Sequence, residues 1–165
     1  MKLLILYHSR SGRTAGLARE IAAGAESVQD CEVLLRTPET ITKDDFLASE
    51  AVIAGSPVYY GSMSAELKKV LDDSVGIRRK MENKIGAAFT SSNFHTGGKE
   101  TTMMSILQAM LISGMIVVGD PLSASGHYGV AFSGEMDDST VSHARLLGAR
   151  VAELAKATAS LRTQE

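Results

Sequence analysis

The run Lys2-Leu3-Leu4-Ile5-Leu6-Tyr7, with His8-Ser9-Arg10-Ser11-Gly12-Arg13-Thr14 directly behind it, decides the fold. Four consecutive aliphatic residues show no polar alternation, so the strand they form is covered on both faces. From Arg13 to Ala25, Leu17 and Ile21 lie one turn apart on an Ala-rich background, which predicts a helix. Working outward, the same unit repeats. Short apolar runs at Glu32–Arg36, Ala51–Gly55, Ile85–Thr90 and Met115–Gly119 predict four further strands. Helical spacing predicts helices at Lys43–Ala48, Ser64–Ser74, Glu100–Ser113 and Asp138–Leu161, with Ser64 as an N-cap. Gly119–Met136 reads as one long polar, glycine-bearing loop. This alternation predicts an α/β three-layer sandwich, a five-stranded parallel sheet with helices on both faces and right-handed crossovers. Ligands of such sheets sit at the carboxyl ends of the strands, so the loops after strands one, three and four carry the function.

Composition narrows the classes. The 165 residues suit a single domain, residues 1–165, and 44% hydrophobic with 22% charged residues is the balance of a folded globular chain. Seventeen basic against nineteen acidic residues, net −2, predict no nucleic-acid partner and no attraction to anionic membranes. Cys31 alone cannot form a disulfide framework, which suits a reducing compartment. The first apolar run is too short for a signal peptide, and no run reaches the ~20 residues of a membrane span. These features place the chain in the cytoplasm with no membrane insertion.

Each of the three loops has its own chemistry. Ser9, Arg10, Ser11, Gly12, Arg13 and Thr14 combine hydroxyls, a glycine, two cations and the amides of a helix start, which makes an anion cradle or, more simply, a capping turn. Neither G-x-G-x-x-G nor a P-loop is present there. Pro57, Val58, Tyr59, Tyr60 and Gly61 follow the third strand. Neighbouring tyrosines on a loop cannot share one direction, so at least one is expected to line a flat ligand. Ser91, Ser92, Asn93, Phe94, His95, Thr96, Gly97 and Gly98 follow the fourth strand and are rich in hydrogen-bonding groups. A phosphorelay receiver lacks its strand-end acids here, a low-molecular-weight phosphatase its C-x5-R loop, and a metal hydrolase its spaced ligands. A site with neither nucleophile nor metal set suits a cofactor that carries the chemistry.

Taken together these residues carry a family resemblance. Ser9-x-Ser11-Gly12-x-Thr14 after an aliphatic strand is similar to the FMN-phosphate loop of flavodoxins. Gly55-Ser56-Pro57-Val58-Tyr59-Tyr60-Gly61-Ser62-Met63 and His95-Thr96-Gly97-Gly98-Lys99-Glu100-Thr101-Thr102 resemble the flavodoxin-like NAD(P)H:quinone oxidoreductases of the Trp-repressor-binding-protein type. The resemblance implies strand order 2-1-3-4-5 and FMN as cofactor. Ser9–Thr14 would hold the phosphate, Pro57–Gly61 would flank the isoalloxazine, and Ser91, Ser92, Asn93, Phe94, His95, Gly97 and Gly98 would contact its pyrimidine edge and ribityl chain. It also implies two-electron reduction of quinones or similar flat acceptors by NAD(P)H in a ping-pong cycle, with His95, Tyr59 and His127 as candidate catalytic groups. Two features depart from the family. Ile112-Ser113 stands where the quinone reductases carry a His pair, and Gly76-Ile77-Arg78-Arg79 has no aromatic residue. His127 and Tyr128 could replace that aromatic surface.

The competing reading is a flavodoxin-type electron carrier that docks with redox proteins. Such carriers are strongly acidic and often stack a Trp on the flavin, whereas this chain is nearly neutral and has no Trp. Apolar residues on more than one face of Glu100–Ser113 suggest burial against a second subunit, with core packing by methionine gap-fillers as the alternative, and the resemblance to the quinone reductases implies a homodimer or homotetramer.

Overall fold

In the computed structural model, which describes residues 1–162, six parallel strands form one sheet. The first three, β1 (Lys2–Tyr7), β2 (Glu32–Arg36) and β3 (Ala51–Pro57), are joined through α1 (Arg13–Glu26) and α2 (Lys43–Ala48). Next come α3 (Ala65–Asp73), a 3-10 segment Ser74–Met81, β4 (Ile85–Ser92) and α4 (Lys99–Ile112). Then follow β5 (Ile116–Val117), β6 (Gly129–Ser133), α5 (Asp138–Ala157) and a 3-10 segment Ala159–Arg162. The order β2-β1-β3-β4-β5 is the one the resemblance implied. Ser64 is the N-cap of α3, its Oγ accepting from the Leu67 amide at 3.3 Å.

Alternation along the strands divides the core between two faces. Leu3 and Ile5 of β1, Ile53 of β3 and Phe89 of β4 face α1 and α5, while Leu4, Leu6, Val52 and Ala88 face α2, α3 and α4. All eight are buried, which is why the strands read as unbroken apolar runs.

Two expectations are corrected. Residues 129–133 are strand, not loop, and the fifth sheet position is filled by two pieces in tandem. β5 pairs with Ile85 and Gly86 of β4, and β6 pairs with Ala88–Ser92. The 118–128 excursion leaves the sheet between them. Its base is closed by the buried Asp120, whose Oδ1 accepts from the His127 amide at 2.7 Å. A side chain at Gly129 would meet the Ala88 carbonyl at 2.0 Å, so glycine admits the chain back to the sheet edge. Val130 and Phe132 then point into the core beneath α5. The second correction concerns β4, which runs through Ser91 and Ser92; both are buried strand residues, and the third loop starts at Asn93.

Met103, Ile106, Leu107 and Met110 of α4 are spent on its own core, which leaves Leu111 and Ile112 exposed at its end. Among the described residues no helix is long and apolar enough to cross a membrane, and no three His, Cys, Asp or Glu side chains group to hold a metal.

Candidate functional site

The carboxyl ends of β1, β3 and β4 open into one cleft of about 610 Å³, in the roughly 300–1,000 Å³ range of cofactor sites. Its walls come from all three loops, with Arg10, Ser11 and Arg13 on one side, Pro57, Val58 and Tyr59 on another, and Ser91, Ser92 and Asn93 behind. The loops are tied together. The Arg13 guanidinium donates to Asn93 Oδ1, linking the first loop to the third. The Val58 amide donates to the Ser91 carbonyl at 2.9 Å, linking the second loop to β4. Thr14 Oγ1 lies 2.9 Å from Ser91 Oγ, so this buried threonine is committed to holding α1 against β4.

The first loop offers donors. Gly12 is the N-cap of α1, with φ +88 and no side-chain cap, and a Cβ there would meet nothing within 4 Å. Among the described residues, the backbone N–H groups of Arg10, Ser11, Gly12, Arg13 and Thr14 have no protein acceptor. Ser9 Oγ accepts from the Ala15 amide at 3.2 Å and closes the turn from behind. Unpaired amides at a helix start, with Arg10 beside them, are a donor set that could hold a dianionic phosphate. The cradle has the chemistry that FMN requires at its phosphate end.

The second loop makes a two-residue hairpin. Tyr59 and Ser62 exchange backbone hydrogen bonds of 3.1 and 3.0 Å around Tyr60 and Gly61, whose φ values of +51 and +75 belong to a type I′ turn. The turn sends the two tyrosines apart: Tyr59 lines the cleft, and Tyr60 is wholly exposed. An aromatic residue at positive φ is strained, and the hairpin bonds hold it there. The third loop is braced by Ser92 Oγ, which donates to the Phe94 carbonyl at 2.8 Å and accepts from the Phe94 amide at 3.2 Å. Phe94 and His95 are exposed beside the cleft rather than within its walls. Loops two and three touch where a Cβ on Gly98, at φ +94, would lie 2.9 Å from Gly61 Cα. Gly97 is equally confined, its Cβ position lying 2.3 Å from Ser92 Oγ.

His127 and Tyr128 sit outside the cleft lining, in the excursion that returns to the sheet opposite Ala88. Conversely, the sequence reading passed over His8. One residue beyond β1, it continues the face of Leu4 and Leu6, and its ring meets Tyr59 edge-on, with centroids 6.3 Å apart. His8 Nδ1 is buried without a hydrogen bond, and Glu66 Oε2 stands 3.6 Å away. Its place one residue beyond a buried strand was the signal that could have found it.

This fold and cleft define a flavodoxin-like flavoprotein, and the comparisons with known proteins agree. The NADPH-dependent FMN reductase family matches residues 37–129, which include the second and third loops. The chain is 32% identical to an NAD(P)H dehydrogenase (quinone) of Archaeoglobus fulgidus, over 94% of this chain and 97% of that one. It is 31% identical to a flavodoxin of Clostridium saccharobutylicum, over 94% and 98%. Among solved structures, a WrbA-like flavodoxin from Agrobacterium tumefaciens superposes with a TM-score of 0.81 at 28% identity, covering 94% of this chain and 98% of that one. The chain belongs to the NADPH-dependent FMN reductase family and is an oxidoreductase that works with FMN and NAD(P)H.

Proposed function

We propose that the protein is a two-electron reductase in which NAD(P)H and then a quinone or similar flat acceptor use the same open slot in a ping-pong cycle. One observation carries this reading: one cleft gathers all three loops, and Tyr60 and Phe94, 110% and 75% exposed, are next in the chain to its lining residues Tyr59 and Asn93. Exposed aromatic faces beside an open cleft suit planar partners that come and go. Bound in the cleft, FMN supplies the acceptance and release of an electron pair.

The chain's own residues bind and orient. The amides of residues 10–14 and the guanidinium of Arg10 hold the phosphate, and Ser11 adds a hydroxyl that has no protein partner among the described residues. Pro57, Val58 and Tyr59 flank the ring system, and His8 backs the Tyr59 ring from below. Ser92 and the third loop present amides and Asn93 to the polar edge of the ring. Lys99, the residue after Gly98, adds a positive charge beside the third loop, and His95 offers a ring N–H donor on it. The near-neutral net charge of −2 gives little electrostatic steering toward a protein partner.

Anaerobic titration of the FMN-loaded protein with NADH and NADPH, then with benzoquinone, tests the proposal. The expected result is rapid loss of flavin absorbance with one equivalent of nucleotide and full return with one equivalent of quinone. The likeness to flavodoxins favours a second reading, a one-electron carrier. Its signature is no reduction by either nucleotide and accumulation of a one-electron form under dithionite.

A further inference from the structure

On the α2–α3–α4 face a groove of about 460 Å³ runs between α3, the 3-10 segment Ser74–Met81 and α4, and reaches Ser62 and Met63 at the end of the second loop. Its volume falls in the roughly 300–1,000 Å³ range of small-molecule sites. Its floor is apolar and reaches Val52 of β3, with Met63, Met81, Met110 and Met115 around it. Unbranched thioether side chains adapt to ligands of varied shape. The Arg78 Nε donates to the Ile112 carbonyl at 2.7 Å, a bridge from the 3-10 segment to the end of α4 that keeps the two walls in register. Val75 and Ile112, both well exposed, extend the apolar rim.

The polar groups of the lining determine what chemistry can enter. The hydroxyls of Ser74, Ser105 and Ser113 donate to the carbonyls of Leu71, Thr102 and Ala109, three or four residues earlier, at 2.7, 2.7 and 3.3 Å, and Ser62 adds a neutral hydroxyl. Lys68 and Asp72 neutralise one another at 2.6 Å. Arg78 is different. Its Nε is used, but its two outer nitrogens have no carboxylate or carbonyl partner among the described residues. One uncompensated guanidinium therefore stands at the mouth of an apolar groove, with the Gln108 side-chain amide as a neutral neighbour. A guanidinium fork matches a carboxylate in a two-point contact.

We propose that this groove binds an amphiphilic carboxylate of the fatty-acid class, its apolar body on the methionine floor and its head group on the outer nitrogens of Arg78. The site is separate from the FMN cleft and stands whether or not the proposed reaction is correct.

The probe is laurate, held below its micellar concentration and titrated calorimetrically into the full-length protein, with dodecanol as the uncharged control. Wild type is expected to bind one laurate. Arg78→Gln should weaken laurate about tenfold and leave dodecanol unchanged, and Ala109→Trp, which fills the groove from α4, should abolish both. A nitroxide-labelled stearate on the unmutated protein checks the location without any substitution. It should broaden the methyl signals of Met63, Met81, Met110 and Met115 and spare Met1 and Met136. Absence of laurate binding, an unchanged affinity in either variant, or broadening at Met1 or Met136 overturns the proposal. So does ligand-free dimerisation that Ala109→Trp abolishes, because the occupant is then a second copy of the chain.

Discussion

Replacing Gly98 by alanine strikes a point where the second and third loops meet. Two costs add there. The first is conformational: φ of +94 lies in the left-handed region, where an L side chain costs about 1–2 kcal/mol. The second is steric: the new Cβ would lie 2.9 Å from Gly61 Cα and 3.0 Å from Thr101 Oγ1. Thr101 is exposed and can turn away, but Gly61 Cα is backbone locked into the Tyr59–Ser62 hairpin. Relief requires the hairpin to move as a unit, at a cost on the scale of overpacking, about 1–3 kcal/mol. Gly134→Ala isolates the first cost, since φ there is +74 and nothing lies within 4 Å of its Cβ position. Urea unfolding should give a loss of about 1–2 kcal/mol for Gly134→Ala and about 2–5 kcal/mol for Gly98→Ala. Flavin fluorescence titration should show weakened FMN binding in Gly98→Ala alone, because only that change displaces Tyr59. Equal stability losses in the two variants, or an unaltered FMN affinity in Gly98→Ala, would refute the reasoning.

Further outcomes follow from individual contacts elsewhere in the structure. Ser11→Ala should weaken FMN by about 1–3 kcal/mol in a fluorescence titration without altering stability, whereas Thr14→Ala should also lower the unfolding free energy, since its hydroxyl is paired with Ser91. His8→Leu should stabilise the apoprotein by about 1–2 kcal/mol in urea unfolding by removing an unpaired buried nitrogen; a loss instead would show that Glu66 closes its 3.6 Å gap in solution. Lys84 is buried, and its ammonium donates to the carbonyls of Phe46, Leu47 and Ser49 at 2.7, 3.0 and 2.6 Å, so Lys84→Met should cost about 2–4 kcal/mol at pH 7. Burial also pushes Lys84 down to about 8, so between pH 8 and 10.5 the unfolded chain holds a proton that the folded one has released. Wild-type stability should therefore gain up to about 3 kcal/mol from this group across that window, and urea unfolding of the Met variant against pH should show no such rise.

The architecture was legible because a doubly covered parallel strand must be apolar on both sides, and β1, β3 and β4 announce themselves in this way. The site was legible as three loops, because a parallel sheet collects its strand ends at one edge whatever the side chains do. What the sequence left open depended on contacts between residues far apart in the chain. Residues 129–133 looked like loop because glycines and polar residues surround a strand that exists only by pairing with β4. Ser91 and Ser92 looked like loop for the same reason, since hydroxyls carry no strand signal until a neighbour buries them. The opposite directions of Tyr59 and Tyr60 follow from a hairpin bond pair, and the commitment of Thr14 follows from Ser91, 77 positions away. His8 gained a role only when Tyr59 and Glu66 were folded over it. Periodicity records whether a residue is buried, which local spacing can encode. Which groups become partners depends on the distance between segments, and only the closed tertiary structure sets that distance.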